Sequence, residues 1–217
     1  MLSKSIYFAG SFLVLILLGG CSSAYYKTME SFGVEKRDIL VDRVIEARDA
    51  QDSASEQFSS ALEQFRATVN FDGGDLEKIY DRLDREYENS VSGAEDVSER
   101  IDAVEDVAND LFREWEQELE QYSRADMRKE SARLLKDTRA RYGKLMTSMR
   151  RAENSMEPVL QAFHDQVLFL KHNLNARAIG SLRHELDSIE RDTASLIAQM
   201  QKAIAEANAF IDSMKNG

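Results

Sequence analysis

Apolar side chains recur at one spacing through the middle of the chain. Between Leu76 and Tyr122 they follow alternating steps of four and three residues, and twelve of the fourteen positions are apolar or aromatic. A period of 3.5 residues that holds over such a length is typical of a helix packed along its whole length against other helices. The pattern predicts a helix over about 75–122, roughly 70 Å long at 1.5 Å per residue.

A thinner pattern of the same period precedes it and predicts a helix over about 34–69. Alanine recurs every seven residues there, from Ala47 to Ala61. Small side chains at this spacing let a neighbouring helix approach closely. The glycine pair at 73–74 then interrupts the pattern, and Asp75 is a candidate N-cap for the following helix.

A third helix is predicted over about 124–173. Residues 123–126, Ser-Arg-Ala-Asp, resemble a capping box, so we expect the second and third helices to form an antiparallel hairpin. Pro158 lies inside the third tract. It either kinks the helix or starts a new helix just after Asn154 or Ser155. The heptad phase carries straight through Pro158, which favours the kink.

A fourth helix is predicted over about 181–215, after a segment at 172–181 that contains two asparagines and Gly180. Its apolar stripe is wide enough to face more than one neighbour, which favours a bundle over a two-stranded coiled coil. The sequence therefore predicts a single all-α domain over 34–217, an elongated antiparallel bundle of about four long helices. The unequal tract lengths indicate that the second and third helices extend beyond the other two.

The charge of the chain narrows the range of partners. The 217 residues carry a formal net charge of −11. Nucleic acids and anionic lipid surfaces are bound through clustered Lys and Arg, so an acidic excess disfavours both. We therefore expect no nucleic-acid partner. Because Cys21 is the only cysteine, an intramolecular disulfide is excluded.

The first twenty residues have the composition of a secretory signal. Lys4 supplies a positive charge, and residues 6–18 form an apolar run of 13 residues. A transmembrane helix needs about 20 apolar residues, whereas a run of this length is usual in signal peptides. Small residues follow at Gly19 and Gly20. We interpret residues 1–20 as a signal peptide.

The tetrapeptide Leu-Gly-Gly-Cys at 18–21 resembles the lipobox of bacterial lipoproteins. The resemblance implies that Cys21 carries a diacylglycerol, that the signal is cut just before it, and that the new amino terminus is acylated. Two or three acyl chains anchor a protein durably, whereas one does so only marginally. Residues 21–33 would then be the lipidated cysteine and a tether. Ser22 implies, by the same resemblance, export to the outer membrane. The alternative is an ordinary signal peptide or signal anchor with an incidental cysteine.

Two segments of the chain are similar to an uncharacterised family of Gram-negative envelope lipoproteins, known as a domain of unknown function. They are YYKTMESFGVEKRDILVDRV at 25–44 and LFLKHNLNARAIGSL at 168–182. The resemblance extends over nearly the whole chain and implies a lipoprotein built from long helices. It implies no activity.

Histidines and carboxylates form no recognised catalytic or cofactor motif. None of His164, His172 and His184 lies three residues after a glutamate, the spacing of di-iron sites in helical bundles. His172 and His184 flank the turn before the last helix and could approach each other. We interpret them as solvated side chains rather than metal ligands. We expect no catalytic residue, no metal site and no cofactor, with Cys21 as the lipid attachment site.

Two groups of side chains on the second helix have structural interpretations. Glutamates alternate at 114, 116, 118 and 120, and residues two apart on a helix point to different sides, so they are not expected to form one site. Glu118 occupies a core position. It either pairs with an Arg or Lys across the hairpin or marks the point where the end of the second helix frays. The aromatic residues share the core phase, so packing accounts for them; they are Tyr80, Tyr87, Trp115 and Tyr122.

These features favour a non-enzymatic protein of the bacterial cell envelope. We expect a helical scaffold or interaction protein that is anchored in the outer membrane through lipid on Cys21 and extends into the periplasm. We expect it to bind an envelope protein or a second copy of itself. The alternative is a bundle-type binding module for a hydrophobic ligand or a metal.

Overall fold

The regular elements of the protein are long α-helices. A computed structural model describes residues 36–71 and 73–215. The predicted signal peptide at 1–20 and the predicted tether at 21–33, with Cys21, lie outside these residues. The helices are α1 Lys36–Val69, α2 Leu76–Leu119, α3 Ala125–Asn154, α4 Met156–His172 and α5 Ala176–Lys215.

The helices pack antiparallel as a bundle of four, in which α3 and α4 together form one member. Helix α1 contacts α2 and α5, and α3 with α4 contacts the same two helices from the opposite side. The first residue of α1, Lys36, is paired with Glu114 near the end of α2. Near the other end of α1, Arg66 is paired with Glu190 in the first half of α5. The structure confirms the predicted all-α antiparallel architecture.

Small residues on α1 bring the first two helices together. Ala47, Ala54 and Ala61 are all buried. A Cβ atom placed on Gly93 of α2 would lie 3.8 Å from Ala54, which is ordinary van der Waals contact. The close approach predicted from the alanine repeat is therefore present between α1 and α2.

Large aromatic side chains fill the centre of the bundle. Phe58 and Phe65 of α1 and Phe163 of α4 are completely buried. The Phe65 and Phe163 rings meet edge to face, with centroids 6.2 Å apart. Because α1 and α4 lie diagonally across the bundle, this contact joins the two pairs of helices into one core.

Two turns differ in how closely they follow the prediction. Gly73 and Gly74 both have positive φ angles, and Asp75 is the N-cap of α2, with Oδ1 accepting from the Lys78 backbone N–H at 3.4 Å. The capping box expected at the start of α3 was wrong. The N-cap there is Arg124, and no side chain caps the helix. Its guanidinium instead binds the carboxylate of Asp126.

The third member of the bundle is interrupted at a single residue. Helix α3 ends at Asn154 and α4 begins at Met156, so Pro158 lies in the first turn of the new helix. Proline has no N–H to donate to the carbonyl four residues earlier, here that of Asn154, and it is tolerated in a first turn. Ser155 keeps right-handed helical angles, with φ −86° and ψ −6°. The chain therefore continues in the same general direction through the interruption.

The last helix begins at Ala176, five residues before the predicted start near 181. The Asn175 side chain explains the difference, because its Oδ1 accepts from the Ala178 backbone N–H at 3.2 Å. This is the usual role of asparagine at an N-cap. Gly180 lies within the helix, and a Cβ added there would meet nothing within 4 Å.

Candidate functional site

A cavity of about 280 Å³ lies at one end of the bundle. There α2 and α3 continue past the first described turn of α1 and the last turn of α5. Apolar side chains from three helices line it, and charged side chains of both signs stand among them. We call this cavity the end groove; the apolar residues are Leu111, Trp115, Leu134 and Met214, and the charged ones are Arg37, Glu114, Glu118 and Arg141.

Trp115 is the main aromatic side chain of the end groove and the only tryptophan of the chain. Its indole Nε1 donates to Ser131 Oγ on α3 at 2.8 Å. The ring is partly buried against the core. Because the polar N–H is satisfied by α3, the remaining ring surface is available for apolar packing.

The alternating glutamates of α2 bind different cations. Glu114 Oε2 is 2.8 Å from Lys36 Nζ, Glu116 binds Arg139, and Glu120 binds Arg128. The hydrogen bond from Arg139 lowers the pKa of Glu116. Glu118 is exposed at the wall of the end groove. The glutamates therefore do not form a single carboxylate cluster.

A second charged group joins α2 to α3 further along the bundle. The Arg150 guanidinium lies 2.6 Å from carboxylate oxygens of both Asp102 and Glu105, and it also binds Glu153. Partial burial would lower the pKa of Arg150, but the hydrogen bonds to these carboxylates outweigh it and raise the pKa. The arginine stays charged and links α3 to α2 through these ion pairs.

An aromatic group lies close to the end groove. Tyr142 of α3 makes edge-to-face contacts with Phe112 of α2 and Phe210 of α5, with centroids 5.3 and 6.5 Å away. Arg139 stands over the Phe112 ring at 5.1 Å. Burial is the main cause that raises the pKa of Tyr142 to about 12. The phenol therefore stays neutral at physiological pH.

The three histidines of the described residues belong to no metal-ligand cluster. Over 36–71 and 73–215, no group of three or more His, Cys, Asp or Glu side chains could hold a metal ion. His164 contacts the Tyr87 ring, with centroids 5.4 Å apart, and lies 3.8 Å from Asp165. Within the same part of the chain, none of the helices combines the length and apolar character needed to cross a membrane.

Large apolar side chains are exposed at both ends of the bundle. At the end that holds the groove they are Tyr122, Met127 and Leu134, and at the opposite end they are Leu168, Phe169 and Leu174. The interpretation of Tyr122 as a core residue was wrong, since 38% of its surface is exposed. Tyr80, Tyr87 and Trp115 do pack against the core. Tyr122 differs because it lies in the turn beyond Leu119, where α2 ends.

Fold and surface together define an all-α protein, an antiparallel bundle of long helices with apolar side chains exposed at its two ends. The chain belongs to a family described as a protein of unknown function, DUF2959, whose sequence pattern matches residues 25–214. The match begins eleven residues before α1. No curated protein matches the chain.

Proposed function

We propose that the protein is a lipid-anchored, non-enzymatic scaffold of the bacterial envelope, held in the outer membrane through Cys21 and facing the periplasm. The observation that carries the proposal is the order of residues at the amino terminus. A positive residue, an apolar run of 13 residues, two glycines and the only cysteine follow one another, as in lipoprotein signals.

The orientation of the helices supports a scaffold that extends away from the membrane. Helix α1 begins at the end groove, so the residues that lead back to Cys21 enter at that end of the bundle. The 44 residues of α2 correspond to about 66 Å at 1.5 Å per residue. An anchor on Cys21 would therefore leave the opposite end far from the lipid surface.

The opposite end offers a surface for a partner. Leu168, Phe169 and Leu174 are exposed there, between 39% and 46% of their surface. Apolar side chains grouped on a surface are typical of protein contact sites. We infer that this group, which we call the distal patch, contacts an envelope protein or a second copy of the chain.

A binding module for a small hydrophobic ligand is the second interpretation, and the end groove would be its site. The groove has a volume of about 280 Å³, just below the range of roughly 300–1,000 Å³ that is usual for ligand pockets. The scaffold is therefore the function that we favour.

The experiment that tests the anchor compares Cys21→Ser with Ser22→Ala in cells of the source bacterium. The Cys21→Ser protein should leave the membrane fraction, whereas Ser22→Ala should stay there. A Cys21→Ser protein that remains in the membrane fraction would contradict the anchor.

The experiment that tests the scaffold places a photo-crosslinking amino acid at Phe169 in the distal patch and, as a control, at the exposed Glu120. A discrete crosslinked product from position 169 alone is expected. Equal products from both positions would contradict a specific distal contact.

A further inference from the structure

Helix α3 differs in charge from the rest of the bundle. It contains nine Lys or Arg and four Asp or Glu, which gives it a net charge of +5. Each of the other described helices carries more Asp and Glu than Lys and Arg. Helix α2 is the extreme case, with fifteen Asp or Glu and five Lys or Arg, a net charge of −10. A basic helix therefore lies on the surface of an acidic bundle.

Part of the positive charge of α3 is neutralised inside the bundle. Arg139 and Arg150 bind carboxylates of α2, and Arg133 binds Glu130 and Asp137 of its own helix. Four further cations are exposed, and none of them forms an ion pair with another residue of 36–71 or 73–215. We call them the basic stripe; they are Lys129, Lys136, Lys144 and Arg151.

The basic stripe follows the side of α3 that faces away from the core. Its members are separated by seven, eight and seven residues, and seven residues bring a side chain back to nearly the same side of a helix. The stripe is about 33 Å long at 1.5 Å per residue. The exposed uncharged residues between Lys136 and Arg151 are all small, so another helix can approach α3 closely; they are Ala140, Gly143 and Thr147.

The exposed side of α2 carries the opposite charge at a matching spacing. Glu88 and Glu95 are seven residues apart, as are Glu99 and Asp106, and all four are exposed. Like the basic stripe, they form no ion pair with the described part of the chain. We call these four residues the acidic stripe, which is about 27 Å long. Two cations seven residues apart on one helix can face two carboxylates seven residues apart on another.

We propose that the protein associates with itself, with the basic stripe of one copy lying against the acidic stripe of another. Surfaces of opposite charge steer association and fix the relative position of the partners. Because the two stripes lie on different helices, the contact is heterologous. Each copy presents one stripe of each kind, so the same contact can join more than two copies.

A second copy fits the basic stripe better than an anionic lipid surface does. The stripe is one helix wide, and α3 packs beside α2, whose net charge is −10. A lipid surface wide enough to cover the stripe would also approach the carboxylates of α2 and be repelled by them. A single partner helix can lie along α3 without covering its neighbour.

This inference goes beyond the proposed function, because the stripes are separate from the distal patch. The patch lies on α4 and in the turn that follows it, whereas the stripes lie on α2 and α3. Self-association through the stripes does not require lipid on Cys21. Failure of the stripes to associate would therefore leave the anchor and the distal contact unaffected.

Reversing the charge of each stripe tests the inference. The full chain is purified in detergent, with micelles in excess over protein, and sedimentation velocity gives the dissociation constant of self-association. The variant Lys136→Glu/Lys144→Glu/Arg151→Glu makes both stripes acidic. Because like charges would then face each other, the dissociation constant should rise roughly ten-fold or more.

The complementary variant provides a rescue. Glu95→Lys/Glu99→Lys/Asp106→Lys makes both stripes basic and should weaken self-association to a similar extent. When the two variants are mixed, opposite charges face each other again. The mixture should therefore associate with nearly the dissociation constant of the original protein, a result that a merely misfolded variant could not give.

Exposed cations outside the basic stripe provide the control. The variant Lys78→Glu/Arg82→Glu/Arg191→Glu makes the same change in net charge as the reversed basic stripe. At physiological ionic strength charges are screened beyond about 8 Å, so this variant should keep the dissociation constant of the original protein. Circular dichroism establishes that every variant is folded.

Three results would each overturn the inference. They are an original protein that stays monomeric, folded stripe variants that associate as tightly as the original, and a mixture of the two variants that does not associate. Vesicles that contain phosphatidylglycerol test the lipid alternative. If they bind the original protein but not the variant with the reversed basic stripe, and self-association is absent, the stripe belongs to a lipid contact instead.

Discussion

Lys36 and Glu114 join the start of α1 to the end of α2 by an ion pair of 2.8 Å, and only 14% of the lysine side chain is exposed. The pair holds the first described turn of α1 against the carboxyl-terminal part of α2. A partly buried charged pair contributes more to stability than the fully exposed pairs on the same hairpin.

Replacing this lysine should loosen the entry of α1. Lys36→Gln is expected to lower the free energy of unfolding by about 1 kcal/mol, because Glu114 loses a charge-assisted hydrogen bond. Urea unfolding measures the loss, and hydrogen exchange should accelerate in the first turn of α1. The exposed pair Arg128–Glu120 provides the control: Arg128→Gln should change stability by less than about 0.5 kcal/mol. Equal effects of the two substitutions would show that the partly buried pair contributes no more to stability than the exposed one.

Gly93 should accept alanine but not a large side chain. A Cβ atom there would lie 3.8 Å from Ala54, and alanine is favoured over glycine inside a helix by about 0.5–1 kcal/mol. Gly93→Ala should raise stability by that amount. Gly93→Leu should lower it by about 1–3 kcal/mol, since α1 must move away.

Gly143 is the matched control for this comparison, because a Cβ placed there meets nothing within 4 Å. Both Gly143→Ala and Gly143→Leu should be stabilising. If Gly93→Leu were also stabilising in thermal unfolding, the close packing of α1 on α2 would be wrong.

Replacing Thr193 with valine should stabilise the protein. It is completely buried, and its hydroxyl finds no hydrogen-bond partner among the described residues. Removing an unsatisfied hydroxyl while keeping the shape should raise the free energy of unfolding by about 1 kcal/mol.

The matched substitution is Thr68→Val. Thr68 is equally buried, but its Oγ1 donates to the Gln64 carbonyl at 2.8 Å, so the substitution should lower stability by about 0.5–1 kcal/mol. Chemical denaturation of both variants measures the two changes in the free energy of unfolding. The same sign for both would contradict the hydrogen-bond assignments.

Ionisation of Tyr142 should destabilise the fold at alkaline pH. Its pKa rises from 10.0 to about 12 in the folded protein, mainly because of burial. The unfolded chain therefore releases the phenolic proton first, and stability falls as the pH rises through about 10 towards 12. Each pKa unit corresponds to about 1.4 kcal/mol in the free energy of unfolding. Because Tyr142 is partly exposed, the total loss should be at most about 2 kcal/mol.

The variant Tyr142→Phe removes this ionisation. Relative to the original protein it should gain stability only above about pH 10, by the linkage of proton release to unfolding. Tyr122→Phe, at an exposed position, is the control and should follow the original protein. Denaturation midpoints across the alkaline range measure the difference. A constant difference at every pH would exclude titration of Tyr142 as the cause.

The helices were predictable because apolar residues recur along the sequence at the helical period. The stripe from Leu76 to Tyr122 correctly predicted one uninterrupted helix, which the structure ends at Leu119. What the stripe could not show is where burial stops. Trp115 and Tyr122 share the phase of Ile101, but burial depends on which side chains of other helices pack against each position, and this is a property of other segments of the chain.

Helix boundaries were less predictable because they depend on single hydrogen bonds. Asn175 caps α5, whereas Gly180 predicts a later start of this helix. The favoured kink at Pro158 was wrong, because the structure starts a new helix at Met156. The end groove had no signal of its own in the sequence.

The central claim, that Cys21 is a lipid anchor, is tested most directly by mass spectrometry of the native protein from membranes. We expect the amino-terminal peptide to begin at Cys21 and to carry a diacylglyceryl group together with an acyl chain. A peptide that begins before Cys21, or that contains it as an unmodified thiol, would contradict the claim.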